Sequence, residues 1–375
     1  MRKLNDLPAV DDSPMHGPIR PVRLLCRDLH PVVGKWLDRC VAENLGKDAR
    51  RTRVQIQQTL PFVFGLLLFF AFLTAFLRHP ALPLQKTGFP PMRLFLALTP
   101  LLLSACSTTI SPSDLASSAP DSTFSHDLLD QVLGTHVDER GRVNYAALQA
   151  EPATLDRYYS LVAAYSPDSH RDLFADEAAR FVYWINAYNA AVLKAVLANY
   201  PITSVSDVSG PPLSGLVSEQ IGFFYFQKLV FGGAKINLYD LEHEIIRKRF
   251  PDPRLHFAIN CASAGCPRLP RQAFHVAHLE DELDRETRYF VNEPRNLRVD
   301  DSTQVILISS IFDWYRDDFL GWMATSFAQT PDPDLLDYAR LYLSAGRRAE
   351  VDRAEAAGYV VQTIPYDWRL NDQGR

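Results

Sequence analysis

Residues 256–270, HFAINCASAGCPRLP, bring His256, Cys261 and Cys266 into one short stretch. Several chemistries fit those residue types. A disulfide is the first: outside the cytoplasm two cysteines this close pair readily, although closing so small a loop stabilises by only about 2 kcal/mol. Thiolate catalysis is the second, with Cys261 or Cys266 as nucleophile and His256 or His243 as base. It needs a lowered thiol pKa and an imidazole within hydrogen-bond reach. Metal ligation is the third, but His-x4-Cys-x4-Cys is looser than the familiar zinc spacings. Free thiols that are simply buried are the fourth. The residues alone leave these readings open.

Other polar side chains sit where they could assist. In LYDLEHEIIRKRF (238–250), helical spacing aligns Tyr239, His243, Ile246 and Phe250, and it sets Glu242 beside Leu238, Leu241 and Ile245. A carboxylate and an imidazole at the edge of a core are either satisfied structural groups or tuned acid–base groups. Arg247, one turn beyond His243, can pair with a carboxylate. In WINAYNA, Asn186 and Asn189 lie next to an apolar stripe and need buried partners, since Asn is a poor helix former. They read as a network joining the helix to neighbouring backbone, or as substrate-facing groups. Tyr366, Asp367, Trp368 and Asn371 read as a docked terminus, and Asp313-Trp314-Tyr315 as an amphipathic rim.

The elements that must position these residues follow from periodicity. Helices are predicted at 125–137, 151–165, 176–200, 238–250, 275–292, 311–323 and 331–343. The strongest is 176–200, where Phe181, Trp184, Ile185, Tyr188, Val192, Ala195 and Val196 form one broad stripe that Pro201 ends. Strands are predicted in FFYFQKLVFGG (223–233), RLHFAIN (254–260), VILIS (305–309) and GYVVQTIPYDW (358–368), and GRVNYAAL (141–148) reads as a turn with a short extended piece. Alternation in RLHFAIN would turn Leu255, Phe257 and Ile259 one way and His256, Ala258 and Asn260 the other, with Cys261 at the strand end. Helices and strands mix without regular alternation. The fold class is therefore α+β, a single mixed domain over 125–371 with several helices around a small, mainly antiparallel sheet.

The N-terminal third carries two membrane signals. Residues 60–77, LPFVFGLLLFFAFLTAFL, are eighteen residues without a charge, the lower limit for a spanning helix. From Met92 the chain reads MRLFLALTPLLLSACSTT, a basic start, an apolar run and small residues before Cys106, the build of a secretory signal over 92–105. It resembles the lipobox of bacterial lipoprotein signal peptides, which implies diacylglycerol on Cys106 and cleavage before it. Residues 1–91 then read as a misassigned extension, and 106–124, rich in Ser, Thr, Pro and Ala, as a flexible tether. The expected location is the cell envelope, facing the periplasm. Ser107 is compatible with outer-membrane sorting in a Gram-negative cell. The 375 residues are 47% hydrophobic and 22% charged, with net charge -5, so a packed core is affordable and nucleic acid is a poor partner. Nothing in the sequence asks for a cofactor. The expected partners are membrane lipid through Cys106 and an envelope peptide or protein.

FVYWINAYNAAVLKAVLANYP, LYDLEHEIIRKRFPDPRLHFAINCASAGCPRL, SSIFDWYRDDF and the terminal YDWRLN together resemble, in order, the blocks of the DUF547 family, over roughly residues 130–371. The resemblance places Asn186, Asn189, Glu242, His243, His256, Cys261 and Cys266 on signature positions. The start of the second helix departs from the pattern, with Asn237-Leu238-Tyr239 where a Thr-Leu-Asp type is usual, which predicts a weaker N-cap. The family name carries no established reaction. One expectation is a Cys/His-dependent hydrolase or acyl transferase on peptide or cell-wall material, analogous to papain-like and transglutaminase-like enzymes. In it Asn186 or Asn189 orients the base or polarises a carbonyl, and Glu242 holds His243 or His256 in one tautomer. The other expectation is a non-catalytic binding or scaffolding lipoprotein with Cys261–Cys266 as a structural disulfide.

Overall fold

In the computed structural model, residues 107–113, 120, 122–210, 220–327 and 332–374 are described. Cys106, the apolar segment 60–77 and the signal 92–105 lie outside them. In chain order the first elements are β1 (Thr108–Ile110), α1 (Asp127–His136), α2 (Tyr145–Ala150), α3 (Ala153–Ala164), α4 (Glu177–Leu197), α5 (Ile221–Tyr225), β2 (Gln227–Phe231) and β3 (Ala234–Asn237). A longer helix, α6, follows as Leu238–Asp240, a π-helical stretch Leu241–Ile246, and Arg247–Arg249. Then come α7 (Leu255–Ala258), α8 (Leu279–Asn292), β4 (Leu297–Asp300), β5 (Val305–Ser309), α9 (Ser310–Trp314), α10 (Arg316–Ser326), α11 (Leu335–Arg340), α12 (Ala345–Ala356) and β6 (Val360–Ile364).

Helix α4 forms the axis. Asp176 caps it, its carboxylate accepting from the Ala179 N–H at 2.8 Å. From Phe181 to Val196 every residue but Lys194 is buried, so the helix is surrounded on all sides. The fold is α+β as expected. The strands differ from the expectation of one mainly antiparallel sheet: they form two separate three-stranded sheets, β1-β2-β3 and β4-β5-β6, each with one parallel and one antiparallel pair. The antiparallel pairs are local hairpins, β2–β3 turning at Gly232 and Gly233 with φ of +55° and +86°. The parallel strands, β1 and β6, arrive from far away in sequence.

The predicted tether therefore contains structure. Thr108–Ile110 pairs with Gln227–Leu229, and the Ile110 carbonyl accepts from the Tyr159 hydroxyl at 2.8 Å. Three further predictions are corrected. Residues 221–225 are helical and only 227–231 extended, because the aromatic residues Phe223 and Phe224 pack as a helical turn against the core. Residues 145–150 form α2, capped by the Asn144 side chain. RLHFAIN is not a strand: Leu255–Ala258 is a helical turn, and only Ile259 onward is extended.

Two hydrophobic clusters explain that last difference. One surrounds α4 and the first sheet; the other lies between the second sheet and helices α8 to α12. Helix α7 lies where they meet, Leu255 and Ala258 in the first and Phe257 in the second. Every residue from 255 to 260 is buried, so apolar alternation there carries no information about periodicity. Asp252 starts the turn, its carboxylate accepting from the Arg254 N–H and its carbonyl from the Leu255 N–H. Among the described residues no helix is long and apolar enough to cross a membrane.

Candidate functional site

The Cys261 and Cys266 sulfurs are joined, with Cα atoms 6.1 Å apart. Asn260 shapes the loop between them: its Oδ1 accepts from the Ala262 N–H at 2.8 Å and its Nδ2 donates to the Pro267 carbonyl at 2.6 Å. The C-terminal segment then lies along the loop as a short partner strand. Ala264 and Gly265 donate to the carbonyls of Arg369 and Asp367, and Asn371 donates to that of Ala262. This docking brings in Tyr366, whose hydroxyl is 3.0 Å from Cys261 Sγ and 2.9 Å from Ser263 Oγ. Burial pushes the Tyr366 phenol up from its ordinary pKa, so it remains a neutral hydroxyl.

A second cluster forms around His256, which is 4% exposed. Its Nε2 lies 2.8 Å from Asp318 Oδ2, and the same carboxylate receives Nε and Nη2 of Arg247 at 2.8 and 3.0 Å. Burial pushes the His256 pKa down against the pull of Asp318. Burial also opposes the charge on Asp318, yet the hydrogen bonds from His256 and Arg247 hold its carboxyl well below the usual range. The consistent state is a neutral imidazole donating from Nε2 to a carboxylate, with a bare lone pair on Nδ1. That Nδ1 is buried and has no hydrogen-bond partner among the described residues. The Tyr315 ring stacks on the imidazole at 3.8 Å, and the Arg247 guanidinium lies over the same ring at 4.9 Å.

Glu242 links this cluster to the axis of the fold. Its Oε1 accepts from Tyr315 at 2.5 Å and its Oε2 from Tyr188 at 3.1 Å. Burial, followed by the Glu242 charge, raises both phenols well above their ordinary pKa, so both stay protonated donors. The Glu242 carboxylate is therefore occupied by two tyrosines and bonds neither histidine; Asp318 is the group that orients His256. The π-helical stretch is where Glu242 leaves α6, a distortion common at sites under functional constraint. The predicted weak N-cap of α6 is not observed: Asn237 accepts from the Asp240 N–H at 2.7 Å and donates to the Asp240 carboxylate at 2.9 Å.

His243 flanks the same cluster, its ring 6.2 Å from that of Tyr315. Its Nδ1 donates to the Tyr239 carbonyl at 3.1 Å, and its ring stacks on Tyr239 at 4.0 Å. Burial lowers its pKa, with the Glu242 charge opposing. Asn186 and Asn189 act as backbone clamps. Asn186 donates to the Phe274 carbonyl and accepts from its N–H, at 2.8 and 2.9 Å. Asn189 does the same for the Ala258 carbonyl and the Asn260 N–H, at 3.0 and 2.9 Å. Each carboxamide supplies the donor and acceptor that a neighbouring strand would, to backbone with no ladder of its own. Asn189→Ala is expected to leave a buried carbonyl and a buried N–H bare beside the cysteine loop, lowering the unfolding free energy by about 3 kcal/mol in urea titration.

The structure thus gathers His256, Glu242, Cys261 and Cys266 in one region and turns Asn186 and Asn189 to backbone. Among the described residues no hydrogen bond joins His256 or His243 to either sulfur. Nor does the His-x4-Cys-x4-Cys spacing offer three free donors: the sulfurs hold each other, which leaves only Nδ1 of His256. No group of three or more His, Cys, Asp or Glu arranged to hold a metal occurs among the described residues. Sequence reasoning missed Asp318, Tyr315 and Tyr366 as members of the site. The sequence alone places Tyr315 on an amphipathic rim and Tyr366 in a docked terminus. Residues 174–291 match the family described as "Protein of unknown function, DUF547". No curated protein and no solved structure matches the chain.

Proposed function

For a chain that carries a DUF547 domain over residues 174–291, we propose a lipid-anchored envelope protein whose domain binds a partner, with Cys261–Cys266 as a closed staple. The anchor rests on the lipobox-like sequence ending at Cys106. The binding role rests on one observation: both sulfurs are in one bond, with no imidazole hydrogen-bonded to either. A nucleophile needs a thiolate and a base within reach, and this arrangement offers neither. The test is a thiol count on the full chain purified from membranes without reductant. No free thiol at 261 or 266, and a mature mass starting at an acylated Cys106, is the expected result. Two free thiols, one alkylated rapidly at neutral pH, would refute the staple.

A second reading, a Cys/His-dependent hydrolase or acyl transferase on peptide or cell-wall material, is favoured by the unpartnered Nδ1 of His256 and by the two hydroxyls on Cys261 Sγ. On that reading the cysteines act only after reduction, and Asp318 orients the base. Alkylation of the reduced protein across pH separates the two. A thiol reacting fast below pH 7 supports this reading, and an ordinary thiol profile supports the staple.

A further inference from the structure

A cavity of about 270 Å³ opens at the end of the second sheet, between the cysteine loop at Ala264 and Gly265, the start of β4, and the chain leaving β6. Its electrostatics differ from those of the protein around it. Arg295 and Arg298 line it together with Asp367. Asp367 is already neutralised, its two oxygens taken by Arg369, and that pairing holds its carboxyl below the usual range. Arg295 is partly committed: Nε bonds the Glu293 carboxylate at 2.7 Å, and Nη1 bonds the Ala264 carbonyl and the Cys266 carbonyl, the latter at 3.2 Å. Arg298 touches only the Pro294 carbonyl, at 3.2 Å, and has no carboxylate partner among the described residues.

The cavity therefore presents an uncompensated guanidinium in a chain whose net charge is -5. Ala264, Gly265, Ile364 and Pro365 give the cavity a small or apolar wall, and Asn296 and Ser309 add polar side chains to its lining. Tyr366 also lines the cavity, with its hydroxyl engaged by Cys261 and Ser263. A guanidinium beside an apolar wall is complementary to a carboxylate on a small apolar body. Gly265 keeps the wall close: a Cβ there would lie 2.9 Å from the Asp367 nitrogen.

From this arrangement we infer that the Arg295–Arg298 cavity is a binding site for a carboxylate, supplied either by a peptide C-terminus or by a small organic acid. The inference rests on the binding role proposed above and names its ligand class. Arg298 makes the charge-assisted contact, and Arg295, braced on the carbonyls of the cysteine loop, fixes the depth of the cavity.

The experiment is isothermal titration of the full chain, with the thiol count taken on the same sample. The probes are N-acetyl-alanyl-alanine, its C-terminal amide, and propionate. Saturable binding of the free dipeptide without binding of the amide is the expected result. Propionate binding as well as the dipeptide identifies a small acid, and a clear preference for the dipeptide identifies a peptide end. Arg298→Gln is expected to weaken binding about tenfold or more while leaving the urea midpoint unchanged, since the side chain has one carbonyl contact to lose. Equal binding of acid and amide, an unaffected Arg298→Gln, or no saturation by either acid would overturn the inference. No binding with the sulfurs still joined removes this cavity alone. Free thiols in that sample would instead remove the staple.

Discussion

Acidification from pH 6.5 to pH 5 is expected to destabilise this protein steeply, well before its carboxylates begin to protonate. Burial lowers the pKa of His126, His243 and His256 in the folded state, His126 to about 3 from 6.5. Below pH 6.5 the unfolded chain takes up protons on these imidazoles that the folded chain refuses. Stability is therefore complete above that pH and is lost as pH falls toward the folded pKa values. Each histidine contributes a slope of up to about 1.4 kcal/mol per pH unit. The groups facing them set the order of resistance. The His126 imidazole bonds the Tyr158 hydroxyl and has His275 nearby, which opposes a second positive charge. His256 and His243 feel Asp318 and Glu242 in favour of protonation and Arg247 against it. Urea unfolding at pH 7.5, 6.0 and 5.0 measures the effect, and His126→Gln should remove about one proton from the slope. A flat profile across that interval would show that the imidazoles titrate normally in the fold.

Asp318→Ala is expected to lower the unfolding free energy by about 3 kcal/mol. The substitution removes the carboxylate bonded to both His256 and Arg247. It leaves a guanidinium over the Tyr315 ring and a buried imidazole whose two nitrogens both lack partners. Removing one member of a buried pair costs more than the pair contributes, because the survivor remains desolvated. The Asp318 side chain is 32% exposed, which keeps the figure at the lower end of that range. Arg247→Met alone should cost less, since His256 keeps its carboxylate. Placed together, the two substitutions should cost less than their sum, and a double-mutant cycle in urea reads the difference. Strict additivity would show that Arg247 and Asp318 are not coupled.

Much of the fold was legible in the sequence. Helix α4 is apolar on nearly every face and has Asp before it and Pro201 after it. Strand β5 is a compact β-branched run and was found within its bounds. What failed failed for physical reasons. Alternation misled at residues 254–260 because two clusters bury both sides of the chain there. Helix α12 escaped notice because only Val351 and Ala354 of its twelve residues are buried, which gives no apolar stripe. Of the site, the residue types in α6 and the cysteine loop stood out at once, and their partners did not. Asp318 lies 62 residues from His256, and Tyr366 lies 105 from Cys261. Such pairings follow from packing of distant segments, and no local spacing encodes them.

Strand β1 changes what an acyl group on Cys106 would mean. Thr108 is already paired with Gln227, so only Ser107 separates the proposed lipid from the first ladder position. Two residues reach at most about 7 Å. If Cys106 carries the lipid, the globule is seated against the headgroups with its first sheet nearest them, instead of roaming on a leash of nineteen residues. Ligands would then have to come to the bilayer surface, and stand-off distance would be set by sheet register rather than by linker length.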